Sequence, residues 1–108
     1  MTRAPRSTGN ADGTDSRPTL YFFTARASGP GRRMQSLVAW LEVTRKSWLR
    51  VIAVDVDRHP AVASRLDVHE LPTFVLVAEG QLVGRIVGRT TSRALGALVD
   101  SHAPPGPA

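Results

Sequence analysis

The chain has 108 residues, 42% of them hydrophobic, which suits one small domain with a modest core. Its 14 basic and 9 acidic residues leave a net charge of +5, but the arginines are scattered from Arg3 to Arg93 among Asp and Glu, with no basic stripe interleaved with base-reading aromatics, which argues against nucleic acid as a partner. Cysteine is absent, which excludes disulfides, thiolate-ligated zinc, iron–sulfur clusters and any cysteine nucleophile, and no apolar run approaches the roughly 18 residues of a membrane span.

Met1 to Arg17 mix Thr, Ser, Gly, Asn, Asp and Arg with no large apolar residue after Met1. Such a segment buries too little surface to offset the entropy of ordering, so residues 1–18 are expected to be a disordered polar tail. The same stretch holds no apolar segment that could act as a secretory signal, which makes a cytoplasmic setting the expectation. Leu20 to Phe23 is a continuous apolar, aromatic run suited to a strand covered on both faces. After the turn-forming Ser28, Gly29, Pro30 and Gly31, the residues Met34, Leu37, Val38 and Leu41 recur at helical spacing. Trp48 is expected on that helix as core, whereas Trp40 lies off the apolar stripe, with a contact surface as the alternative to an ordinary exposed ring.

Leu49 to Val56 form a β-branched run ending at Asp57, and Pro60 opens a second helix through Leu66, with His59 or Asp57 near its cap. Phe74 to Val77 and Leu82 to Val87 flank Glu79 and Gly80, a hairpin in which Gly80 supplies the positive φ. A last helix covers Ser92 to Ser101, with Ala94, Leu95, Leu98 and Val99 on one face, and the Pro/Ala-rich 103–108 ends the chain. The order strand, helix, strand, short helix, hairpin, helix predicts an α/β domain over 19–102: a right-handed crossover joins two parallel strands, an antiparallel pair completes a mixed sheet, and helices cover both faces. His59, His69 and His102 have no metal-ligand spacing, and no metal or other cofactor is expected. Asp55 and Asp57 read as turn and capping residues.

At this point the residues resemble the thioredoxin family. Its Trp-Cys-Gly-Pro-Cys motif lies between the first core strand and helix, where this chain reads Ala27, Ser28, Gly29, Pro30, Gly31. Val54 to Pro60 is similar to the family's strand end and turn, Leu71 to Phe74 to its cis-proline segment, Glu79–Gly80 to its hairpin turn, and Val87–Gly88 to the end of its last strand. The resemblance implies a thioredoxin-like fold with a trimmed N-terminus, since only the polar tail precedes Leu20. It also implies a cis bond between Leu71 and Pro72. The departures concern chemistry. The family's buried carboxylate, six residues before its first cysteine, is Phe22 here; the lysine that tunes it falls at Ala53.

With sulfurs, base and tuning group all replaced, no thiol–disulfide activity is expected. What the resemblance leaves is binding. The degenerate loop Ser28 to Gly31, the backbone at Leu71 and Pro72, and Gly88 are expected to form one shallow groove for an extended peptide or protein segment, edged by Arg26, Arg32 and Arg33 as anion or partner contacts. The simpler readings are a helix cap for Ser28 and solvated charge for the arginines. The expected role is a redox-inactive, monomeric adaptor or chaperone-like module without a membrane or nucleic-acid partner. The alternative is an enzyme that holds glutathione or another thiol through Ser28.

Overall fold

The computed structural model describes residues 17–25 and 29–104, with backbone alone over 29–33. Its elements are β1 (Thr19–Thr24), α1 (Gly29–Thr44), β2 (Arg50–Asp55), α2 (Pro60–Arg65), β3 (Thr73–Ala78), β4 (Gln81–Val87) and α3 (Ser92–Asp100). The four strands form one mixed sheet in the order β2-β1-β3-β4. Strands β1 and β2 are parallel, Thr19 opposite Arg50 through Thr24 opposite Asp55, whereas β3 is antiparallel to both β1 and β4. The apolar run of β1 thus becomes the strand paired on both sides, and Leu20, Phe22 and Phe23 are almost fully buried.

Alternation along the strands divides the core into two layers. On one face Leu20, Phe22, Phe74 and Leu76 pack with Val38 and Leu41 of α1 and Leu95 and Val99 of α3. On the other, Phe23, Val54 and Val75 pack with Ala63 of the short α2, joined by Leu66, Val68 and Leu71. Burying these chains contributes about 25 cal/mol per Å² of apolar surface, the main term holding so small a sheet together.

Local departures from the expected elements have physical causes. Strand β2 stops at Asp55, not Asp57, because the Asp55 carboxylate accepts from Asp57 N at 2.9 Å and its carbonyl from Arg58 and His59 N–H at 3.0 and 2.8 Å, which turns the chain. His59 stands at the N-cap of α2, as expected, but its side chain makes no cap bond, and Pro60 at the first turn lacks an N–H that would need one. Helix α2 ends in a Schellman pattern, Val68 N–H to Ala63 C=O at 2.8 Å and Asp67 N–H to Ser64 C=O at 3.1 Å, with Asp67 at φ 59° in the place glycine usually takes. Arg85, from β4, donates to the exposed carbonyls of Leu66 and Asp67 at 2.6 and 3.1 Å and ties that end to the sheet.

Helix α1 ends at Thr44, so Trp48 lies in the following turn and not on the helix; its N–H and that of Leu49 bond the Arg45 carbonyl, and its ring packs against the larger core layer. In α3, Ala94 is exposed and Gly96 takes the buried place, close enough that an added Cβ would meet Arg45 and Trp40 at 3.5 and 3.8 Å. The hairpin turn has positive φ at both Glu79 (54°) and Gly80 (80°), a primed turn matched to the twist of its strands.

Trp40 is 40% exposed, with the Arg45 guanidinium 4.7 Å from its ring centroid. Arg45 also forks onto Asp100 at 3.0 and 2.7 Å, linking α1 to α3. The hydrogen bond from Arg45 holds the Asp100 carboxyl below its usual range against the opposing cost of burial. A carboxylate whose folded pKa is depressed adds stability above its unfolded pKa, and that contribution is lost as the pH falls through the folded one. Because the Asp100 side chain is 49% exposed, the contribution is screened to less than about 1 kcal/mol. Urea denaturation should therefore find Asp100→Asn less stable than the parent at neutral pH by that amount, with the gap closing below the acid range of a free carboxylate.

Candidate functional site

Strand direction alone brings the sequence-predicted loops to one end of the sheet. Strand β1 runs toward that end and delivers the chain to the N-terminus of α1, and the parallel β2 finishes beside it at Asp55. The antiparallel β3 begins there and β4 ends there. Pro72 is buried, and the Leu71–Pro72 peptide bond is cis. Gly88 N–H donates to the Pro72 carbonyl at 2.8 Å, with Gly88 at φ 90°, a region open to glycine and strained for other residues. Thr73, also buried, donates its hydroxyl to the Glu70 carbonyl at 2.6 Å and folds the preceding loop. Among the hydrogen bonds of the described residues, none engages the peptide groups of Leu71.

Gly29, Pro30 and Gly31 form the first turn of α1, where backbone N–H groups have no partner within the helix. Arg32 and Arg33 lie in the same part of the helix, and their side chains, like the whole of Arg26 and Ser28, fall outside the described structure. Cap, anion-site and thiol-site readings of these residues therefore rest on sequence. Sequence reasoning passed over Arg89, exposed and next to Gly88, and Arg58, in the turn after β2; both stand at the same end of the sheet. The signal for Arg89 was available as a basic residue directly following the last strand.

Beneath the loops the sheet is apolar. Phe22 is 2% exposed, and its ring stacks on Phe74 with centroids 5.1 Å apart at 18°. The strand register sets Ala53 and Phe74 on either side of Phe22, so the two positions at which the family carries its carboxylate and lysine are cross-strand neighbours on one face. Neither residue can move a proton. The sequence supplies no thiol, and among the described residues no group of three His, Asp or Glu converges to hold a metal ion. No described helix is long and apolar enough to cross a membrane.

Comparison with known proteins agrees with this architecture. A profile of the family described as Thioredoxin matches residues 11–101. A thioredoxin of Mycobacterium tuberculosis (strain H37Rv) is 33% identical over 82 residues, spanning 76% of this chain and 71% of that protein. Thioredoxin 1 of Synechococcus elongatus is 30% identical over 85 residues, 79% of each chain. Among solved structures, a single-site mutant of a thioredoxin from Halobacterium salinarum superposes with a TM-score of 0.78 at 32% identity, covering 89% of this chain and 84% of that one. Mitochondrial thioredoxin 3 of Saccharomyces cerevisiae gives 0.73 at 30% identity over 82% of each.

Proposed function

Because this chain belongs to the thioredoxin family yet contains no cysteine, we propose that it is a redox-inactive binding module that receives an extended segment of a protein partner at the end of its sheet. The observation that carries this reading is the pairing of Gly88 N–H with the Pro72 carbonyl, which frames a Leu71 whose own peptide groups make no bond among the described residues. An extended segment can add to such a backbone as a short strand, with no sulfur required. The first turn of α1 contributes N–H groups that have no partner within the helix and the positive end of the helix dipole. Arg26, Arg32, Arg33 and Arg89 add charge around the same loops, so an acidic segment is the favoured ligand. A cytoplasmic, adaptor-like role belongs to this reading.

Chemical-shift mapping against an acidic peptide selected for binding tests it. Perturbations should centre on the α1 N-terminus, Leu71 and Gly88, and affinity should fall with added salt. Arg32→Ser combined with Arg33→Ser should weaken binding about tenfold or more. Thermal stability should stay unchanged or rise slightly, since two positive charges leave the positive end of the helix. Perturbations gathered on the exposed Trp40 face would overturn the groove. Saturable glutathione binding lost in Ser28→Ala would favour the thiol-holding enzyme instead.

A further inference from the structure

A different surface, independent of the groove, is the β2 edge. Edge strands are ordinarily blunted by charge, proline or a bulge. Strand β4 follows that rule, with a register shift opposite Leu76 and Val77 and the charged Arg85 in mid-strand. The other edge does not: Val51, Ile52, Ala53 and Val54 run without charge, proline or irregularity.

The hydrogen bonds show which peptide groups are open. Arg50 N–H donates to Pro18 C=O at 2.9 Å and Val56 N–H to Thr24 C=O at 3.0 Å, so the even-numbered peptide groups of β2 face β1 and the odd-numbered ones face away. Turns close both ends of that open side, since Leu49 N–H is taken by Arg45 C=O and the Asp55 carbonyl by Arg58 and His59. Between them, the N–H and C=O of Val51 and of Ala53, flanking Ile52, have no partner among the described residues.

We infer that β2 pairs antiparallel with β2 of a second copy about a two-fold axis at Ile52. In that register Val51 of each copy faces Ala53 of the other, and the reciprocal bonds, about four in all, satisfy the open groups of both residues. The axis is perpendicular to the sheet, so each face meets its like. Ile52 meets Ile52, extending a cross-strand row in which Val75 is buried and Tyr21 and Ile52 are half-buried. Helix α2 follows the Asp55 end of β2 and packs on the face that carries Ile52 and Val54, so the two-fold sets its two copies toward opposite ends of the joined strands. Antiparallel pairing also brings the Arg50 end of one strand beside the Asp55 and Asp57 end of the other.

A second copy fits this edge better than the chain's own N-terminal stretch. Met1 to Ser16 contains Pro5, Gly9 and Gly13 and no Val, Ile, Phe, Tyr or Trp, a poor composition for a strand. The molecule would then be a weak dimer, not the monomer expected from sequence.

Sedimentation equilibrium of the full chain over a wide concentration range, combined with amide exchange, tests the inference. A reversible dimer is expected, with Val51 and Ala53 amides protected in the dimer and exchanging fast on dilution. Ile52→Lys sets like charges directly opposite each other and should raise the dissociation constant about tenfold or more, whereas Ile52→Val should keep the dimer. Ala53→Pro, which removes an N–H unused within the described chain, should act in the same direction if the lysine variant folds poorly. A chain that stays monomeric at hundreds of micromolar overturns the inference, whether these amides are exposed or are protected independently of concentration by the chain itself. A dimer that survives both disruptive variants with unchanged exchange places the contact elsewhere and overturns it equally.

Discussion

Phe22→Asp, which returns the family's carboxylate to its position, is expected to unfold much of the protein at neutral pH. Phe22 is 2% exposed and stacked on Phe74, in the layer beneath α1 and α3. Truncating a buried phenylalanine costs about 3–5 kcal/mol. The carboxylate adds the cost of a buried charge without a cationic partner, since the neighbouring strand position is Ala53. The sum approaches the whole stability of a domain this size, about 5–15 kcal/mol. Burial raises the new carboxyl's pKa above its unfolded value, so the neutral form is the one the fold tolerates. The sign of the pH dependence follows: the deficit against the parent should be largest at neutral pH and should shrink as the pH falls through that raised pKa. Urea and thermal melts at neutral and mildly acidic pH measure both features. A loss below about 2 kcal/mol, or one independent of pH, would mean that water or a basic group reaches this position.

That result bears on what the residues disclosed and what they withheld. The apolar run Leu20 to Phe23, the stripe Met34, Leu37, Val38 and Leu41, and the turn at Glu79–Gly80 were legible because each follows from a period or a φ requirement local to the chain. The two-faced core was legible for the same reason. Contacts made across the fold were not. Nothing near Arg85 shows that it caps the carbonyls of Leu66 and Asp67, because those atoms are brought to it by the sheet. Nothing around Gly96 in the sequence shows that the ring of Trp40 and the guanidinium of Arg45 lie where its Cβ would be. Trp48 was placed one element too early because an apolar residue after a helical stripe fits the stripe, whereas the backbone bonds of Trp48 and Leu49 to the Arg45 carbonyl end the helix first. At the candidate site the motif residues pointed to one end of the sheet, but Arg58 and Arg89 escaped notice, being ordinary surface arginines until strand direction sets them beside Gly88 and Asp55.

Restoring both sulfurs, Ser28→Cys with Gly31→Cys, is expected to give an inefficient disulfide reductase. The first cysteine would sit just ahead of α1, where the helix dipole and nearby arginines lower a thiol's pKa and favour the attacking thiolate. Attack on a substrate disulfide breaks its S–S bond, forms a mixed disulfide and releases one substrate thiolate. The second cysteine must then lose a proton to attack the mixed disulfide, and the position from which the family takes that proton holds no base here. Phe22 occupies the family's carboxylate position, and its register partners are Ala53 and Phe74. General-base assistance is worth about 10²–10⁴ in rate, so insulin reduction by the double variant, with dithiothreitol re-reducing its new disulfide after each cycle, should fall below that of an intact thioredoxin by about that factor. The mixed disulfide should accumulate, visible by mass spectrometry after an acid quench. The parent chain should show no turnover above buffer. A double variant within about tenfold of an intact thioredoxin, with no trapped intermediate, would mean that water or another group carries the proton and that the apolar floor at Phe22 does not limit the chemistry.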